Sequence, residues 1–295
     1  NVKKQPQRAY EEMEKAFALD ETDARVYLEL DQLKKRLNVP VKERWSDMEK
    51  YFDLVESRDD LYLEYVTLLN TLGEPEKALG LIKARKFHQW EGGEGKVAAQ
   101  YLTALYQLAK AAVEKEDYAE AKELLLRAVG EYPHNLGEGK LESGQENNLY
   151  YLLGLVQEKL GEAKDAFESL TRACCGESEP VGMMYYNDQP PEMIYYQGLA
   201  YRMLGEEEQA VRRFQKLVDY GREHIRDDVK IDYFAVSLPD LLIFEENLNE
   251  RNRKHCLFMM SLGLKGLGRI DEAEKCAEEL LAMDNAHQEI RVHDL

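Results

Sequence analysis

No apolar run in this sequence approaches the roughly 20 residues a helix needs to cross a bilayer, which excludes a helical membrane span. Cysteine is scarce, four in 295 residues. Cys174, Cys175, Cys256 and Cys276 form no CxxC pair, and adjacent Cys174 and Cys175 would strain to bridge each other. That argues against a disulfide framework and predicts reduced thiols in a cytoplasmic setting. Basic residues are outnumbered, 39 Lys and Arg against 57 Asp and Glu, for a net charge of −18. Such a field repels a phosphate backbone or an anionic bilayer, so nucleic acid and membrane are not expected as partners. The opening Asn1–Pro6 has neither an initiator Met nor the apolar core of a signal peptide. The chain is therefore expected to start at the cut edge of a larger protein or at a processing site.

Signatures of chemistry are missing as well. There is no GxSxG and no recognisable Cys/His nucleophile arrangement. His88, His134, His224, His255, His287 and His293 show no HxxH or HxxxH spacing, so no metal site is predicted. Two Gly-Glu-Gly-Lys segments, 93–96 and 137–140, lack the GxxxxGK[ST] spacing of a phosphate loop and follow no predicted strand. The abundant carboxylates read as solvated helix faces rather than as an acid and base pair. No catalytic residue and no cofactor is predicted.

What is present is a repeat. In the segment 117–128, Ala121, Leu125 and Ala128 fall at i, i+4 and i+7, one stripe of a helix, and Pro133 follows. With Ala121 as the mark, equivalent alanines stand at 78, 166, 210 and 273. Twelve residues before each mark lies a residue that is small in four units, Ala109, Gly154, Gly198 and Ser261, with Val66 the loosest match. Five before it, Leu72-Gly73, Leu160-Gly161, Leu204-Gly205 and Leu267-Gly268 mark a turn in which Gly adopts the left-handed conformation.

This pattern resembles the tetratricopeptide repeat, a helix-turn-helix unit of about 34 residues. The resemblance implies an all-α solenoid with residues 58–295 as its body. Residues 1–57 are expected to be degenerate or truncated helical hairpins, with Ala9, Met13 and Ala16 on a second helix and a break at Val39-Pro40. The marker alanines are spaced by 43, 45, 44 and 63 residues, so long inserts are expected along one edge, at about 86–100, 134–146, 179–190 and 222–253. The insert sequences, from Trp90 to His287-Gln288, also resemble the repeat region of large bacterial proteins with an N-terminal β-rich domain of unassigned function.

In tetratricopeptide solenoids the first helices line the concave face. Carried onto this chain, that places Leu63, Tyr106, Tyr151, Tyr195 and Phe258 in an aromatic ladder. Asn148 and His255 flank it on one side, and Glu158 and Arg202 on the other. The rim would carry Trp90, Glu94, Lys96, Glu138, Lys140, Tyr186, Asn187, Asp188, Asp232 and Tyr233. Aromatic faces among polar groups suit an extended peptide or a saccharide. The leading expectation is a non-catalytic scaffold that binds a protein segment or docks the parent protein's own N-terminal domain. The alternative is a carbohydrate-binding or carbohydrate-active pocket built from groove and rim. Pairing of two copies through an apolar face at the truncated beginning, around Ala9–Leu19, is a further expectation. Tyr233, Phe234, Leu241, Leu242 and Phe244 are candidates to plug the groove, which leaves an enclosed pocket and a filled core as open alternatives.

Overall fold

Helical periodicity interrupted by Gly turns yields helical hairpins. A computed structural model describes residues 5–90, 92–140, 144–182, 188–230 and 247–293. The predicted rim residues Tyr186, Asn187, Asp232 and Tyr233, and the candidate plug residues 234, 241, 242 and 244, lie outside the described residues. Among the described residues there is no strand.

Four helices come first: α1 (Pro6–Leu19), α2 (Ala24–Arg36), α3 (Val41–Lys50) and α4 (Phe52–Glu56). Five hairpins follow. They are α5 (Asp59–Thr71) with α6 (Pro75–Ala84), α7 (Lys96–Glu114) with α8 (Tyr118–Val129), and α9 (Asn147–Lys159) with α10 (Ala163–Ala173). The last two are α11 (Pro191–Met203) with α12 (Glu207–His224), and α13 (Leu248–Gly266) with α14 (Ile270–Met283). A short α15 (Gln288–His293) ends the described chain. The architecture is a helical-hairpin solenoid with long inserts between hairpins.

The turn glycines Gly73, Gly161, Gly205 and Gly268 have φ of +77°, +79°, +81° and +75°. The second hairpin makes the same turn with Glu116 at φ 60°, a conformation unfavourable for a residue with a Cβ. Within each hairpin the two helices touch at the small positions. A Cβ on Gly198 would lie 2.4 Å from the Phe214 ring, and one on Gly154 would lie 2.7 Å from Leu170. Ala109 and Ser261 are fully buried at the equivalent places, and the five marker alanines face the same interfaces.

The first four helices are joined to the array by a buried charge network. Arg44 Nε donates to Asp31 Oδ1 at 3.0 Å, and its Nη2 donates to Asp31 Oδ2 at 2.6 Å and Glu64 Oε1 at 2.7 Å. Burial alone would raise the Glu64 carboxyl, but Lys35 and Arg44 outweigh it and hold Glu64 down at about 2. Phe17, Tyr27 and Tyr51 add an aromatic cluster with centroids 5.0–5.2 Å apart.

The first two inserts lie against each other. Phe87 N donates to Asn135 O at 2.8 Å, while Asn135 Nδ2 donates to the Ile82 and Arg85 carbonyls at the end of α6. Glu138 accepts from Gly95 N at 2.7 Å and Ala98 N at 2.8 Å. An acidic residue of the second insert thus caps the N-terminus of α7, where the helix leaves unpaired N–H groups and a partial positive charge.

Candidate functional site

The first helices α7, α9 and α11 meet at a central hub. Tyr106 of α7 and Tyr196 of α11 meet hydroxyl to hydroxyl at 2.6 Å, although 90 positions separate them. The Tyr151 ring of α9 lies 5.5 Å from Tyr196, and Tyr195 turns to Phe214 at 5.7 Å. His293 of α15 completes the hub, with its ring 5.5 Å from Tyr106 and 5.6 Å from Tyr196, and its Nδ1 at 3.2 Å from the Tyr196 hydroxyl. Burial raises the Tyr106 and Tyr196 phenols well above their ordinary value. Burial, with the Lys110 charge added, lowers His293 to about 3 and keeps its imidazole neutral.

The inner surface is occupied by the chain itself. The end of α14 lies against the turn between α2 and α3, where Asn285 Nδ2 donates to Asn38 O at 2.8 Å and Asn285 Oδ1 accepts from Val41 N at 3.0 Å. Asn38 Nδ2 returns a bond to Ala282 O at 3.1 Å. Gln288 and Gln100 exchange two amide hydrogen bonds of 2.9 and 3.1 Å. Gln288 Nε2 also reaches Thr67 O and Thr71 Oγ1 of α5, each at 3.2 Å. Lys110 Nζ donates to the Val292 carbonyl at 2.8 Å, and His287 lies 5.1 Å from the Phe258 ring of α13. A six-residue helix spans about 9 Å. Hairpins one, two and four can all reach one segment this short only because the array curls around it.

The predicted groove residues divide into two groups. Tyr106, Tyr195 and Phe258 are buried. Half-buried His255 points its Nε2 at Val181 O of the third insert, 2.8 Å away, and its buried setting lowers it to about 4. Asn148 and Tyr151 are half-buried, and Glu158 and Arg202 are exposed. Arg202 forms a bidentate pair with Glu207 at 2.8–3.2 Å and lies 4.9 Å over Phe214.

Several rim residues have work within the fold. Besides Glu138, Lys140 Nζ donates to Val129 O at 2.5 Å and pairs with Glu146 at 2.8 Å. Trp90 covers Gly93 so closely that a Cβ there would lie 2.2 Å from the indole. Glu94 and Lys96 are exposed and Asp188 is half-buried. No group of three or more His, Cys, Asp or Glu that could hold a metal exists among the described residues. Cys174, Cys175, Cys256 and Cys276 form no disulfide. No described helix is long and apolar enough to cross a membrane.

Sequence reasoning missed Tyr196, Gln100, Lys110 and the whole of α15. Tyr196 adjoins the predicted Tyr195, but its inward role arises only where α11 faces α7.

The geometry of hairpins two and four, α7–α8 and α11–α12, agrees with one further observation. A model of the tetratricopeptide repeat family matches residues 103–135 and 192–220. These two segments are similar to tetratricopeptide repeats. Solved structures to which this chain is similar include the TPR domain of P58(IPK), at 18% identity over 99% of this chain and 72% of that one, with a TM-score of 0.33. YrrB, described as a TPR protein with an unusual peptide-binding site, is 17% identical over 84% and 98%, with a TM-score of 0.29. MamA is 19% identical over 73% and 91%, with a TM-score of 0.25.

Proposed function

We propose that this chain is a non-catalytic protein-interaction scaffold whose inner surface binds a protein segment. One observation carries the reading: the surface already holds residues 284–293, partly through their main chain, as in the Lys110 bond to the Val292 carbonyl. Contacts of that type do not depend on the side chain of the bound residue and suit peptide recognition. The accessible stretch around Asn148, Tyr151, Glu158 and Arg202 adjoins the occupied part through the Tyr151–Tyr196 contact. It offers the Tyr151 ring near the Arg202–Glu207 ion pair. A domain N-terminal to this region in the same polypeptide is a second source for such a segment.

No observation favours the saccharide pocket. Glu138 and Lys140, two of its rim candidates, are engaged with the chain's own main-chain groups.

Selection of peptides from a display library against the full chain tests the reading. Enriched segments should bind the wild type and lose at least tenfold in affinity on Tyr151→Ala or Arg202→Ala, with cooperative melting retained. Failure to enrich any segment, or enrichment indifferent to both substitutions, would sink it.

A further inference from the structure

We infer that residues 284–293 are an internal pseudo-ligand, and that the inner surface beneath them is the docking site for a partner peptide carrying the same anchors: a side-chain amide followed two and four positions later by β-branched apolar residues. The inference rests on the scaffold reading and adds to it the class of ligand and the element that must move.

Three features of the segment support this. Gln288, Ile290 and Val292 are its buried anchors, while Glu289 between them is exposed. The sequence Gln-Glu-Ile-Arg-Val-His alternates in character, and Ile and Val are mediocre helix formers. A helix of six residues is also far below the length that is stable alone. Its order therefore comes from the surface that holds it, as for a peptide that folds on binding.

The surface has the character of a recognition site. Asn70, Gln100 and Gln107 of α5 and α7 form an amide stripe: Asn70 Nδ2 donates to Gln100 Oε1 at 2.9 Å, and Gln107 Nε2 donates to Asn70 O at 3.0 Å. Fully buried Asn70 keeps its Oδ1 without a donor, and Gln107 Oε1 is likewise unpaired. A permanent core is expected to satisfy such acceptors or replace them with apolar groups. Gln288 joins this network through Gln100 and leaves both acceptors unpaired, so a ligand with additional N–H groups has acceptors to meet there. Lys110 already grips a main-chain carbonyl, a contact that any peptide in the same register reproduces.

The test uses the full chain and a labelled synthetic decapeptide of sequence 284–293. In the wild type the resident segment competes with the probe. Ile290→Asp places a charge at a fully buried position and undocks it. Fluorescence anisotropy should show the Ile290→Asp protein binding the decapeptide at least tenfold more tightly than the wild type does, with a scrambled decapeptide binding neither. Equal affinity for the two proteins, or no binding to a cooperatively melting Ile290→Asp variant, would overturn the inference.

Should that variant not melt cooperatively, hydrogen exchange on the wild type decides. Amides of 288–293 should exchange at least a hundredfold faster than those of α7. Exchange of both at one rate would make the segment a permanent strut. A library-selected ligand that binds without altering exchange at 288–293 would defeat the pseudo-ligand and leave the scaffold reading intact. Trans binding of the decapeptide with no ligand found by selection would do the reverse.

Discussion

Gln100 and Gln288 hold each other through two side-chain hydrogen bonds, 2.9 and 3.1 Å long, across 188 positions of sequence. The pair ties the last helix of the chain to the second hairpin and closes the array around its own segment. Paired buried amides are coupled, because loss of one leaves the other desolvated without a partner. A double-mutant cycle of Gln100→Ala and Gln288→Ala, read by urea denaturation, should give a coupling energy of about 0.5–3 kcal/mol. Strict additivity would mean that the two amides do not act as a pair.

Arg44 is fully buried between Asp31 and Glu64 and carries the charge that both need. Removing it leaves two like charges facing each other out of water. Arg44→Ala should cost about 3–5 kcal/mol, the penalty typical of breaking a buried ion pair. Arg44→Lys should recover little, since an ammonium cannot reproduce the bidentate geometry. Chemical denaturation of the three proteins checks both statements.

Glu116 occupies the turn that the other four hairpins make with Gly. The left-handed conformation costs a residue with a Cβ about 1–2 kcal/mol, and Gly returns about 0.5–1 kcal/mol of that as lost chain entropy. Its side chain is exposed, so little contact is lost on removal. Glu116→Gly should therefore raise stability by about 0.5–1 kcal/mol. Gly205→Ala, the opposite change at an equivalent turn, should lower it.

Glu192 stands on the first turn of α11, where burial pushes its carboxyl up to about 8 and nearby Glu289 of α15 adds to the shift. The folded value lies above the ordinary 4.5, so the folded chain holds this proton more tightly than the unfolded one. The stability this provides is fully present below pH 4.5 and declines as pH rises to about 8, by at most about 1.4 kcal/mol per pH unit. Glu192→Gln should abolish that decline, so the variant gains on the wild type across this window. His293 acts in the other direction. Its folded value of about 3 lies below the ordinary 6.5, so its contribution is lost as pH falls from 6.5 toward 3. Melting curves of wild type, Glu192→Gln and His293→Phe over pH 4–8 separate the two. A parallel pH dependence of Glu192→Gln and wild type would refute the assignment.

The five hairpins were legible because their determinants are local. Gly at a left-handed turn, an Ala where two helices cross and a helical stripe of apolar residues each act within some 30 positions. Sequence by itself therefore determined the all-α repeat architecture of helical hairpins. It did not determine what fills the centre. That depends on how tightly successive hairpins curl, a sum of small rotations set by packing between neighbours and by inserts such as the one carrying Glu138. Only that curvature brings Tyr106 to Tyr196 and Asn38 to Asn285. The segment 288–293 is short, alternates in character and has no helix signal of its own, so nothing local announced it as a helix. Tertiary structure decided both its form and its place, because the surface that orders it is assembled from residues 97 to 221 positions away.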